Sequence, residues 1–157
     1  MQKINPFLWF NDQAEEAAQL YVSKFENARV TDTRRWGPGG PFPEGSILSV
    51  SLELDGREYE LFNGGPEFTF TEAISLVVSV ETQEEVDRLW DALTSDGGEP
   101  SQCGWLKDKF GLSWQIVPTA LGEVLSDPDP ERASRALQAM MGMGKLDIAG
   151  LRAAADG

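Results

Sequence analysis

Cys103 is the one thiol in the chain, and no histidine occurs anywhere in the sequence to take its proton. A nucleophilic cysteine needs such a base, or a strongly positive environment, to exist as thiolate near neutral pH. Cys103 therefore reads as a small buried side chain. Glu58 and Glu60 stand two apart, but same-strand neighbours are not by that spacing an acid/base pair with separated pKa values. Asp108 and Lys109 belong to an Asp-Lys-Phe-Gly111 turn. The remaining means of recognition are aromatic. Trp9, Trp105 and Trp114 offer faces on which an organic ligand can stack, although a tryptophan on a strand is more often core.

Cofactor motifs point the same way. A methyltransferase that holds S-adenosylmethionine in an alternating βα fold needs a glycine-rich turn between a parallel strand and a helix. Gly37, Gly39 and Gly40 lie among prolines with no helix pattern behind them, and Gly142 and Gly144 lie between helices. Neither set fits that use.

The elements that must position these side chains follow from periodicity. Ile4 to Phe10 reads as a strand, and Asn11-Asp12 as the N-cap of a helix from Asp12 to Phe25 whose apolar face is Ala14, Ala17, Ala18, Tyr21, Val22 and Phe25. A strand over Ala28 to Trp36 precedes Gly37 to Gly45, a glycine- and proline-rich loop that is either a connector or a lid. Ile47 to Leu54 alternates, Asp55-Gly56 is a two-residue hairpin signal, and Arg57 to Asn63 returns. The pattern then repeats. Ala73 to Val80 reads as a buried strand, and Thr82 with Glu85 has capping-box spacing for a helix bearing Val86, Leu89, Trp90 and Leu93. Short strands are expected over Glu99 to Cys103 and Trp105 to Lys107, then Leu112 to Val117. Three helices should close the chain: Ala120 to Leu125, one entered through Asp127-Pro128-Asp129-Pro130 and reaching Met143, and Lys145 to Ala155. Leu137, Met140, Met141 and Met143 form a soft apolar patch suited to a core or a subunit interface.

Composition bounds the function. A chain of 157 residues, 41% of them hydrophobic, can bury roughly 70% of its unfolded surface. A lone cysteine forms no internal disulfide and suits a reducing compartment. No apolar run resembles a signal peptide or a membrane span. A cytoplasmic location without membrane association is expected. Acidic residues outnumber basic ones 26 to 13, for a net charge of -13, which repels phosphate backbones and anionic bilayers. Nucleic acid is not an expected partner.

Several stretches carry a family resemblance: NDQAEEA after the first strand, FNGGPEFTFTEAISLVV, EEVDRLWDAL, CGWLKDKFGLSWQIVP and QAMMGMGKLDIAGL. In this order they resemble the PhnB-like branch of the glyoxalase/bleomycin-resistance (vicinal-oxygen-chelate) superfamily, whose members often bear a demethylubiquinone methyltransferase label. The resemblance implies an α+β fold, the glyoxalase/bleomycin-resistance/dihydroxybiphenyl dioxygenase fold: two βαβββ modules, here 1–66 and 67–118, with a helical tail over 119–157. It also implies two curved sheets around a cleft, with dimers common.

Metal-using members of that superfamily place histidine or glutamate early in each module's first strand and glutamate near the end of its last. Carried over, the pattern falls on Asn5, on Ser75 or a neighbour, and on Gln115, with Glu60 or Asn63 as alternatives in the first module. Amides and hydroxyls coordinate transition metals weakly. The expectation is therefore a protein with no metal and no cofactor. It would bind a small organic molecule through Asn5, Trp9, Glu60, Asn63, Ser75, Trp105 and Gln115, with Gln115 facing the ligand and Trp114 packed against a helix. A homodimer is expected. An enzyme using a carboxylate-held metal or a carboxylate base is the alternative.

Overall fold

Alternation in Ile47 to Leu54 and Arg57 to Asn63 fixes the first hairpin residue for residue. The strands run Ile47–Leu54 (β3) and Arg57–Asn63 (β4), joined at Asp55 and Gly56 with φ of 51° and 78°, the left-handed pair that a tight two-residue hairpin turn requires. The computed structural model describes residues 2–157 as two units, one up to Phe70 and one from Thr71 onward.

In the first unit, Phe7–Phe10 (β1), Ala14–Lys24 (α1) and Ala28–Arg35 (β2) precede the hairpin. The sheet order is β1-β4-β3-β2 with β1 parallel to β4. Leu8, Phe10, Val50, Leu52 and Leu61 form the buried side, and α1 contributes Ala14, Ala17, Ala18 and Tyr21 to the same core. Each buried leucine is worth about 1.5–3 kcal/mol, and the three alanines let the helix sit close to the strands.

Two expectations change here. The first strand begins at Phe7, leaving Ile4 and Asn5 ahead of it, because Pro6 has no N–H to donate to a ladder and its carbonyl instead accepts from Glu60 N–H. The helix starts two residues later than Asp12, with Gln13 at the cap and no side-chain cap from Asn11 or Asp12. Its first N–H is satisfied from β4 instead, as described below.

The second unit repeats the plan: Ser75–Val80 (β5), Gln83–Thr94 (α2), Glu99–Pro100 (β6), Trp105–Lys107 (β7) and Ser113–Pro118 (β8). Its order is β5-β8-β7-β6 with β5 parallel to β8. The two modules are thus βαβββ, the expected α+β fold. Thr82 caps α2, accepting from Glu85 N–H at 3.2 Å. Glu85 accepts from Glu81 N–H, one residue beyond the N-cap N–H that takes the reciprocal bond of a full capping box. β6 is shorter than expected because Ser101 to Gly104 turn sharply, with Cys103 and Gly104 both at positive φ.

The tail is Thr119–Leu125 (α3), Pro130–Met141 (α4) and Ile148–Asp156 (α5). Backbone bonds from Cys103 N–H to Met143 and from Gly104 N–H to Gly144 tie the α4–α5 connection to the 101–104 turn. Gln83 donates to the Leu146 carbonyl and accepts from Ile148 N–H. Leu146 and Leu151 are fully buried, but of the expected patch Leu137 and Met141 are exposed and Met140 and Met143 half-buried, so none of its members lies in the core. Among the described residues, no helix is long and apolar enough to cross a membrane.

Candidate functional site

Each sheet has one face against helices and one open face, and strand alternation decides what the open face carries. On the first sheet the register pairs Phe7 with Glu60 and Trp9 with Phe62, and on the other side of β4 pairs Ser51 with Glu60 and Ser49 with Phe62. These side chains therefore share the open face. The Ser49 hydroxyl donates to the Glu60 carboxylate at 3.1 Å. The sequence left Glu60 and Asn63 as alternatives, and the structure separates them. Glu60 stands on the open face, whereas Asn63 points to the helix side, where its Oδ1 accepts from Ala14 N–H at 2.9 Å and its amide donates to the Ile47 carbonyl. Asn63 is buried and both of its polar ends are in use. It caps α1 from another element and does not present itself to a ligand.

Trp9 is held in place. Its indole N–H donates to the Gly65 carbonyl at 3.0 Å, and its ring meets Phe62 and Phe68 edge-on with centroids 5.2 Å and 4.9 Å apart. A Cβ on Gly64 would fall 2.3 Å from the indole, so the ring occupies space that only glycine leaves. Trp36, just ahead of the Gly37 to Gly45 loop, meets Phe42 within it, ring centroids 5.4 Å apart and planes tilted by 38°, and Trp36 also meets Phe62. The loop is thus anchored by its own aromatics. Asn5 is exposed ahead of β1, its amide donating to the Gln2 carbonyl.

On the second sheet, two cross-strand rows lie side by side. One runs Val77, Gln115, Trp105; the next runs Ser75, Ser113, Lys107, Glu99. Gln115 donates from its amide to the Ser75 hydroxyl at 2.9 Å, so two of the expected residues meet. Trp114 faces the opposite way, fully buried, with its indole N–H donating to Asp108 Oδ2 at 2.9 Å. Asp108 also accepts from the N–H groups of Phe110 and Leu112, which makes it more than a turn residue: one buried carboxylate ties the turn to β8.

Beside the Gln115–Ser75 pair is a recess of about 200 Å³ lined by residues that include Glu72, Glu99, Ser101, Trp105, Lys107 and Ser113. Lys107 and Glu72 form an ion pair. The hydrogen bond between them, with their mutual attraction, lowers the Glu72 carboxyl below its ordinary value and raises the Lys107 ammonium. Ser113 is 1% exposed and its hydroxyl has no hydrogen-bond partner. Sequence reasoning missed Glu72, Lys107, Ser113 and Ser49. For Ser113, the two-residue step from Gln115 was an available signal, since it places both on one face.

Cys103 is half-exposed at φ 59° in the 101–104 turn. The expected buried position is corrected: in this left-handed turn, beside exposed Ser101 and Gln102, the thiol is only partly covered.

A family model described as 3-demethylubiquinone-9 3-methyltransferase matches residues 2–117. The chain belongs to this PhnB-like family. The solved structure of the PhnB protein of Bacillus cereus is 35% identical, with a TM-score of 0.68 over 74% of this chain and 99% of that one. Protein PA1353 of Pseudomonas aeruginosa is 21% identical, TM-score 0.61, over 75% of this chain and 98% of that one. The fosfomycin resistance protein FosX of Listeria monocytogenes is 13% identical, TM-score 0.51, over 75% and 93%, and shows a likeness of fold alone. None of the curated proteins matches the chain. The family match ends at residue 117, within β8, so the QAMMGMGKLDIAGL stretch lies beyond it.

The metal chemistry that the resemblance implied would need a different donor set. Gln115 and Ser75 are neutral and bonded to each other, and among the described residues no three or more cysteine, histidine or carboxylate side chains converge. These residues do not fit a transition-metal centre, which takes imidazole, thiolate or carboxylate.

Proposed function

We propose that this PhnB-like protein binds a small organic molecule without a metal, on the open faces of its sheets. The observation that carries this reading is the recess beside the Gln115–Ser75 pair, where neutral hydrogen-bonding groups, a half-buried tryptophan and an unpartnered hydroxyl adjoin one another. Binding sites of this kind combine apolar walls with a few placed polar groups. On the second sheet Gln115 and Ser75 orient the ligand and Trp105 stacks on it; the first sheet by itself offers Glu60 and Ser49 as polar contacts. Asn63 is left out of this set because its amide is consumed by α1 and Ile47.

The family's methyltransferase description is not carried over. Neither sheet has the alternating βα order of an S-adenosylmethionine-binding fold, and no step of methyl transfer is assigned. The exposure of Phe7, Phe68, Ile74 and Val77 supports a homodimer, because single domains seldom leave that many large apolar side chains in water. Light scattering that returns only monomer mass at micromolar concentration would remove that part.

A second reading, an enzyme with Glu60 as base or metal-bearing carboxylate, draws on the Ser49–Glu60 bond, which orients that carboxylate on the open face. The deciding experiment is a thermal-shift screen of organic ligands against protein whose metal content has been measured. Ligand-dependent stabilisation without stoichiometric metal supports binding alone. About one equivalent of zinc, nickel, iron or manganese per chain, lost on replacing Glu60 or Gln115, refutes the metal-free reading and favours the enzyme.

A further inference from the structure

The recess on the second sheet has a chemistry that the binding reading leaves unspecified. Across the strands Ser113 stands between Ser75 and Lys107, and Lys107 stands between Ser113 and Glu99. Lys107 is committed to Glu72. The Ser75 hydroxyl already accepts from Gln115, while Ser113, buried beside it, neither donates nor accepts.

A buried hydroxyl without a partner costs about 1–3 kcal/mol relative to a satisfied one and calls for an explanation. A ligand atom entering the recess would supply the missing bond. The charges decide which kind of atom. Glu72 and Glu99 place two carboxylates around one ammonium, so the lining is net negative, in a chain of net charge -13. An entering anion would meet a cation already neutralised by Glu72. An entering cation would meet the unbalanced Glu99 carboxylate, a serine oxygen with a free lone pair and the π-system of Trp105. The volume of about 200 Å³ is below that of a typical drug-sized site, which suits a small molecule or one end of a larger one.

We propose that this recess takes the ammonium group of a small organic amine, with the Ser113 hydroxyl and the Glu99 carboxylate accepting its protons and Trp105 beside its charge. The inference rests on the small-molecule reading and names the ligand class. Lys107 and Glu72 act as a rim that sets the local charge, and Lys107 opposes the ligand electrostatically.

The test is an NMR titration of the full chain with benzylammonium, benzyl alcohol and benzoate, which share a ring and differ in charge. The signal is the Trp105 indole N–H, assigned by its loss in Trp105→Phe. Benzylammonium is expected to shift it saturably and to bind more tightly than the other two. Ser113→Ala should weaken that binding about tenfold through the lost hydrogen bond, with no loss of thermal stability, since an unsatisfied hydroxyl is removed. Glu99→Gln should weaken it about two- to fivefold, the worth of a partly exposed charge pair. Lys107→Met should tighten it by a similar factor. The sign of that last change is the sharpest discriminator, because an anion site would instead lose its ligand. If benzoate or benzyl alcohol binds best, or if Lys107→Met weakens benzylammonium, the amine assignment falls while small-molecule binding stands. Binding by none of the three also overturns it, and the thermal-shift screen then judges the broader reading separately.

Discussion

Replacing Asn63 by alanine removes one buried and one part-buried hydrogen bond at once: the Ala14 N–H at the start of α1 loses its acceptor, and the Ile47 carbonyl loses its donor. An N-cap acceptor is worth about 1 kcal/mol, with a range of roughly 0.5–2. The Ile47 carbonyl loses a bond of about 0.5–1.5 kcal/mol. The side chain is 9% exposed, so water reaches these groups poorly and most of both contributions should be lost. The sum is about 2–3 kcal/mol, or a fall of roughly 4–12 °C in melting temperature for a domain of this size. Asn63→Asp retains an acceptor that suits a helix N-terminus but sets a carboxylate against the Ile47 carbonyl, so its loss should be smaller than alanine's. Differential scanning calorimetry measures both, and ligand titration of the folded variants measures the rest. If Asn63→Ala melts like the parent yet no longer binds ligand, Asn63 is a ligand residue and its assignment as a helix cap is wrong.

Gly64→Ala should destabilise by about 1–3 kcal/mol, the usual penalty of overpacking, because its Cβ would fall 2.3 Å from the Trp9 indole; in chemical denaturation an unchanged midpoint would show that Trp9 is free to move. Cys103→Ser should leave ligand binding intact and stability within about 1 kcal/mol, as for a partly exposed turn position, whereas lost binding with the fold retained would reveal a catalytic thiol. The Asp87 carboxyl is held below its ordinary value of 3.8 by hydrogen bonds from Gln83 and then Lys145, and Asp127 by its bonds from Arg132 and then from Asp129 N–H. A depressed folded-state value means stability that is complete above pH 3.8 and lost as pH falls through the depressed values. Melting temperature followed between about pH 2 and 6 should therefore drop less steeply for Asp87→Asn than for the parent, and parallel curves would count against the Asp87 contribution.

Local rules were enough for much of the chain. The Asp55-Gly56 turn and the alternation on either side of it determined β3 and β4 to the residue, because a two-residue hairpin leaves no freedom of register. Thr82 announced α2. Alternation also required Trp114 and Gln115 to face opposite ways, and the structure buries the first and leaves the second half-exposed on the open face. Missing histidines spoke against an imidazole-based metal centre before any fold was known.

Other assignments depended on residues distant in the chain. Glu60 and Asn63 lie on opposite faces of β4 by simple counting, but only the arrival of Ala14, 49 residues earlier, shows which face the helix covers. No local pattern contains that bond. Asn11-Asp12 looked like a cap by sequence and lost that role to the same distant side chain. The rigidity of Trp9 comes from the Gly65 carbonyl, 56 residues away, and the isolation of the Ser113 hydroxyl from its place between two neighbours already committed elsewhere. Secondary structure here is decided by interactions a few residues apart, which a sequence displays directly. Whether a polar side chain is spent on the fold or left for a ligand is decided by partners that only tertiary packing brings within hydrogen-bonding distance.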